Sequence, residues 1–304
     1  MVSLPERDLS NEQSVTLGCV NFDSEWGDKA ANLAKIKGLT KEAAMQGIDI
    51  VAFPELALSG YECSAELCMH RELAETIPGP ATEELCALAR EHNMYIVFGM
   101  PEQDAVVPER RYISCPFIGP EGLIGTYRKL HLGPPPIFTE TLCFTGGTSI
   151  PVFDTRFGKV GIQICADFWM YPEVARIQML KGARLIINCS GSPDLSPDRR
   201  AYMTQQTGAR ATENLVYAAT ANLVGKENTI SFYGCSTIAG PEFPRFNHIY
   251  AQGGDGEEIV SATLSFSKLN KFREAVPIRN IRRDDILLRE FNELDRNSAE
   301  YTRH

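Results

Sequence analysis

The chain has 304 residues, 43% of them apolar and 23% charged, and a net charge of −9. That is enough chain to bury a large core without disulfide or metal staples. The acidic balance argues against a nucleic-acid partner, which would need clustered Lys and Arg.

The opening run, MVSLPERDLSNEQS, has no apolar signal region. No apolar run approaches the length of about 18 residues that a membrane span needs, so a cytoplasmic protein with no membrane partner is expected. SVTLGCVNF (14–22) reads as a strand. Residues 27–46 place apolar side chains at helical spacing, and Gly47 stands where that helix should stop. IDIVAF (48–53) is a short buried strand ending at Pro54. PATEELCALAREHN (80–93) is a second amphipathic helix, followed by a strand over 94–102. Residues 110–129 read as two strands around a GPEG turn, a hairpin. Pro134–Pro136 and Gly146–Gly147 mark a long loop over 133–149. Strands are expected at 150–153, 159–165, 185–190, 215–224, 229–240 and 258–266. Helices are expected over 172–182 and 197–213, and 277–304 reads as a tail or surface helix. Strand–helix–strand units followed by hairpins point to α/β layers with mixed sheets, and no composition break divides 1–304 into separate domains.

Nine cysteines and five histidines are present. Several of the cysteines lie inside apolar strands, so most are read as reduced and buried. Cys63, Cys68 and His70 cluster loosely, but nothing later completes a four-ligand set, so no metal is expected.

Three segments could carry chemistry. Glu55 follows the strand VAFP, at the strand end where α/β proteins gather functional groups. In TYRKLHL, one of Arg128 and Lys129 must face inward, and a buried lysine needs an anionic partner or a task. His131, in the same run, reads as a structural loop histidine. In KVGIQICADFWMYPE, Cys165 ends a strand just before a helix, where backbone N–H groups and a helix dipole would lower its pKa. Taken singly, each also fits an exposed glutamate, a solvated basic pair or an inert thiol. No GxSxG elbow, phosphate-binding loop or dinucleotide fingerprint is present.

Together, FPELALSGY, YRKLHL and GIQICADFWMYPEVARIQMLKGARLIINCS resemble the nitrilase (carbon–nitrogen hydrolase) superfamily, and ARATENLVYAATANLVG and FYGCSTIAGP fit its later strands. The resemblance covers about 14–266. It implies a four-layer αββα sandwich with two mixed sheets, no metal, no organic cofactor, and a homodimer or larger homo-oligomer. It also implies dimer contacts through helices that include 172–182, with the tail 277–304 crossing onto the partner. Cys165 would be the nucleophile, Glu55 the general base, and Lys129 the oxyanion stabiliser with the N–H of Ala166. Glu140 is the candidate for a second, substrate-positioning glutamate. Ala166, Phe168, Trp169 and Asn188 are candidates to line the substrate, and Asp167 to anchor the loop. D-amino-acid carbamoylases of this family present paired arginines in this neighbourhood to grip a carboxylate; here Phe168 and Trp169 stand instead, which favours an apolar or neutral acyl group. The expected reaction is hydrolysis of a linear amide or N-carbamoyl compound with release of ammonia. The alternatives are a nitrilase acting on a nitrile, or a non-catalytic binding protein on the same fold.

Overall fold

The computed structural model describes residues 14–63, 69–136 and 138–297. The opening run, Cys68 and the end of the tail, on which some expectations fell, lie outside them.

The first half runs β1 (Ser14–Asn21), α1 (Lys29–Met45), β2 (Ile50–Ala52), α2 (His70–Leu73), α3 (Pro80–His92), β3 (Tyr95–Val97), β4 (Met100–Gln103), β5 (Arg111–Gly119) and β6 (Gly122–Arg128). The start of α1 is capped by Asp28, whose carboxylate accepts from Ala31 N–H at 2.9 Å. It stops where expected, with Gly47 at φ +72°. The second half runs α4 (Glu140–Cys143), β7 (Val152–Thr155), β8 (Gly158–Ile164), α5 (Ala166–Trp169), α6 (Pro172–Leu180), β9 (Leu185–Ser190), α7 (Arg199–Asn214) and β10 (Tyr217–Asn222). Then come β11 (Val224–Glu227), β12 (Ile230–Tyr233), β13 (Thr237–Glu242), β14 (Arg245–Gln252), β15 (Glu258–Ser265), α8 (Phe266–Ala275) and α9 (Asp284–Asn297).

Two mixed sheets form the centre. One has the order β15-β1-β2-β3-β5-β4, with β6 added on β5. The other has the order β14-β13-β10-β9-β8-β7. In each, a parallel trio (β1, β2, β3 and β8, β9, β10) is flanked by antiparallel strands. Both faces of the trios are covered, so IVA and LIINCS are buried throughout, without alternation. Phe117 of β5 meets Phe153 of β7 edge to face at 5.8 Å, joining the two sheets. Helices α1 and α3 lie on the first sheet and α6 and α7 on the second, which completes an αββα sandwich.

The expected strand 94–102 is interrupted at Phe98–Gly99. There the backbone leaves the sheet: Gly99 N–H donates to Pro54 O at 3.0 Å and Gly99 O accepts from Leu58 N–H at 3.1 Å. The expected strands 215–224 and 229–240 are each divided. Their inner ends form the separate ribbon β11–β12, and left-handed Gly234 and Cys235 redirect the chain into β13. Elements not anticipated include the short α2, α4 inside the long loop, the edge strand β14, and α8. The α8 helix carried a readable signal in Phe266, Leu269 and Phe272, which are spaced at i, i+3, i+6 and all buried.

Candidate active site

The carboxyl ends of β2, β6, β8 and β9 converge, and each delivers one group. The turn after β2 places Glu55 with no exposed surface. It can do so because Gly99 packs against it. A Cβ there would lie 2.3 Å from Leu56 N and 2.6 Å from Glu55 Cα. Leu56 itself is left-handed, at φ 52°. Lys129, just past β6, is 1% exposed and points inward as the strand alternation required.

The lysine bridges two carboxylates. Its Nζ lies 2.7 Å from Glu55 Oε1 and 2.8 Å from Glu140. Glu140, at the start of α4, accepts from Tyr61 Oη at 2.5 Å and from Gly133 N–H at 2.9 Å. The second oxygen of Glu55 accepts from Gly191 N–H at 3.0 Å. One buried cation therefore faces two buried carboxylates. Burial, with Glu140 adding repulsion, outweighs the pull of Lys129 and raises the Glu55 pKa to about 7. Burial opposes the Lys129 charge, but Glu140 and Glu55 outweigh it and hold the ammonium protonated well above its usual range.

Cys165 follows β8 with φ 47° and ψ −104°, a strained conformation for a non-glycine residue. Its N–H is held from two sides, by Cys189 O at 3.1 Å and Asn188 Oδ1 at 2.8 Å. Its buried thiol lies within the electrostatic reach of Glu55, Lys129 and Glu140. The expectation of a depressed thiol pKa is corrected. Burial, then the Glu55 charge, pushes it up to about 12, against Lys129 and the Ser190 hydroxyl. The helix that follows, α5, has only four residues and too small a dipole to compete.

Asp167 is fully buried and accepts four hydrogen bonds: Tyr127 Oη at 2.7 Å, Leu130 N–H and His131 N–H at 2.9 Å, and His131 Nδ1 at 2.7 Å. It ties α5 to the run that carries Lys129. The His131 ring stacks on Tyr171 at 3.4 Å. Ala166 is half-buried, and as the first residue of α5 its N–H has no acceptor within the helix. Trp169 is 6% exposed, with its indole N–H unpaired. Phe168 is fully buried behind it, the rings 5.1 Å apart. Arg210 donates to the carbonyls of Phe168 at 2.7 Å and Trp169 at 3.0 Å, closing the end of α5. Asn188 is also fully buried. Its amide is committed to Cys165 N–H and to Thr220 Oγ1, which puts it beneath the cysteine rather than on an open surface.

The structure thus gathers Glu55, Lys129, Glu140 and Cys165 into one contact network, with Ala166 and Trp169 at its edge. Sequence reasoning missed Tyr61 and Gly191. Tyr61 sits six residues past Glu55 with no local pattern to mark it, and Gly191 contributes only backbone. Cys143, the other loop cysteine near this region, is disulfide-bonded.

A carbon-nitrogen hydrolase family model matches residues 16–274. A nitrilase from Pyrococcus abyssi is 39% identical over 213 residues, 69% of this chain and 76% of that protein. An omega-amidase from Xenopus laevis is 35% identical over 266 residues, 85% of this chain and 91% of its own. The crystal structure of Saccharomyces cerevisiae Nit3, a member of the nitrilase superfamily, superposes with a TM-score of 0.78 at 27% identity, covering 89% of this chain and 97% of that one.

Proposed function

The chain belongs to the carbon–nitrogen hydrolase family of the nitrilase superfamily, and from that premise we propose that it hydrolyses a linear amide or N-carbamoyl compound through a Cys165 thioester. The observation that carries this reading is the Lys129 ammonium held between Glu55 and Glu140, with the buried Cys165 thiol under the charges of the same three groups.

A thiol with a pKa near 12 is not a standing thiolate. It must lose its proton as it attacks, and Glu55, with a pKa near 7, is matched to take it. Sulfur bonds to the carbonyl carbon and the carbonyl oxygen becomes an oxyanion. An ammonium has three N–H donors, and two of those on Lys129 are directed at Glu55 and Glu140. The third, with the N–H of Ala166, is left for the oxyanion. Glu55 passes its proton to the departing nitrogen, the C–N bond breaks and ammonia leaves. Glu55 then takes a proton from water as the water attacks the thioester. The C–S bond breaks, the acid is released and the thiol recovers its proton from Glu55.

In this reading Glu140 acts through Lys129, because its oxygens are taken up by Lys129, Tyr61 and Gly133. Asn188 is a positioning residue that fixes the strained Cys165 backbone. Trp169, backed by Phe168, bounds the acyl side and suits an apolar or neutral acyl group. The omega-amidase relative favours an amide and the nitrilase relative keeps a nitrile as the second reading. We further propose one hydrolase domain over the whole chain, working as a homo-oligomer without metal or organic cofactor.

The test is ammonia release from panels of amides, N-carbamoyl compounds and nitriles, with Cys165→Ala beside the wild type and intact-mass detection of the acyl-enzyme. Turnover by wild type but not by Cys165→Ala, with a covalent adduct, is expected. Turnover retained in Cys165→Ala refutes the mechanism. Absence of both release and adduct across the three panels favours a binding protein.

A further inference from the structure

Cys165 and Ser190 lie at the carboxyl ends of β8 and β9. Around the amino-terminal end of β9, on the opposite side of the fold, is a cavity of about 360 Å³. The turn from α6 into β9, the end of α7, and α8 with the residues that follow it build its walls. Arg184, Arg273 and Arg279 line it, with Asn214 and Asn270, and no Asp or Glu is among the described residues that do so.

The hydrogen bonds of these arginines among the described residues end on neutral acceptors. Arg184 donates to Phe266 O at 3.1 Å and Asn270 Oδ1 at 2.9 Å. Arg273 donates to Leu215 O at 2.7 Å and Ala183 O at 3.2 Å. Arg279 donates to Leu180 O at 3.0 Å. Capping of helix ends explains part of this. The carboxyl ends of α6 and α7 are near, and each presents about half a negative charge. Two such ends offset about one of three cations. The remainder is unbalanced. Burial first, and then the charges of Arg184 and Arg279, pull the Arg273 pKa down to about 10.

A second observation is independent of charge. Arg184 is 8% exposed, and its Nε–H is buried with no partner. Asn214, 1% exposed, has an equally unpaired Oδ1 on the same wall.

We propose that this cavity binds the phosphate group of a small metabolite, at a site separate from the catalytic centre. Three guanidinium groups lining one cavity suit a tetrahedral dianion better than a planar carboxylate, because its oxygens can meet more than one fork. The volume lies at the lower end of small-molecule sites, about 300–1,000 Å³.

Isothermal titration calorimetry of the full chain tests this, with inorganic phosphate, pyrophosphate and succinate as probes and ionic strength fixed with sodium chloride. Saturable binding of phosphate or pyrophosphate is expected, weaker by about tenfold or more in Arg279→Gln, which gives up one charged contact. Arg279 is exposed and holds a single carbonyl, so this variant should keep its fold, as circular dichroism would verify. Arg273→Gln should bind more weakly still. The proposal fails if neither probe saturates, if Arg279→Gln and Arg273→Gln bind as the wild type does, or if succinate binds as tightly. The readout is binding, so it stands or falls apart from the catalytic reading.

Discussion

At the scale of single residues, the site is governed by one cation shared between two carboxylates. The Glu55 pKa is raised to about 7. In the proposed mechanism Glu55 must be ionised to take the thiol proton, so kcat/KM should fall about tenfold per pH unit below pH 7. A pH–rate profile checks this. An acid limb near 4.5, the ordinary glutamate range, would show that the base is not a glutamate with a raised pKa. Glu55→Gln should fold and yet lose acylation, read as the absence of a covalent burst. Lys129→Met is a different kind of change. It strands Glu55 and Glu140 together without a counter-charge, and breaking such a buried network costs about 3–5 kcal/mol. A fall in thermal midpoint together with loss of turnover is expected. Lys129→Arg should not restore activity, since a planar fork cannot replace a compact ammonium fitted between two carboxylates. The positions of Glu55, Lys129 and Cys165 were legible in the sequence, because each ends a strand and their order resembles a known family. The thiol pKa was not. It depends first on burial and then on carboxylates that lie far away along the chain, and a local reading of helix dipoles gave the wrong sign.

At the scale of elements, the site depends on how turns are held against one another. Asp167 is the clearest joint, since its carboxylate takes donors from Tyr127, Leu130 and His131 and so fixes the Lys129 run to the Cys165 turn. Asp167→Ala leaves those buried donors without an acceptor, so a loss of about 3 kcal/mol or more is expected. Tyr127→Phe removes only one of the bonds and should cost about 1 kcal/mol. Denaturant melts of the two variants measure the difference. Equal losses would mean that the backbone donors find other partners and that Asp167 is not the joint. The sequence suggested an anchoring role for Asp167 but not its partners, because they lie in β6 of the other sheet and in the run just past its end. The same limit explains the strand over 94–102. Its apolar run is continuous, and only the approach of the Glu55 turn to Gly99 shows why the sheet must open there. The hairpin over 110–129 and the strand 185–190 were readable for the opposite reason: turn chemistry and unbroken burial are local signals.

At the scale of the whole molecule, the two buried parallel trios leave their apolar runs plain to read, which is why the layered α/β class could be derived before any resemblance was invoked. The tail is a separate matter. Residues 277–304 read as weakly apolar and charged, yet α9 gathers its apolar groups on one stripe. Leu287, Leu288, Phe291 and Leu294 are 44%, 64%, 56% and 67% exposed. With Ile177 and Leu180 of α6, the first three line a groove of about 650 Å³, rimmed by Glu173, Arg176, Arg282 and Asp284. A stripe of this kind left in water is a liability for a monomer. The rim carries both signs of charge, so a second copy turned about a two-fold axis would meet its own complement. We expect sedimentation velocity to give a dimer or larger assembly at micromolar concentration. Leu288→Lys with Phe291→Asp should shift it to monomer while circular dichroism stays unchanged, because neither side chain belongs to the buried core. A wild-type monomer would remove the oligomer from the proposed function. An assembly that survives the double change would move the interface off α9. Ammonia release by the monomeric variant then separates two roles for the contact. Retained turnover means that assembly covers an apolar face and nothing more. Lost turnover with an intact fold means that α6, which follows directly on the Cys165 turn, needs the partner to hold that turn in place.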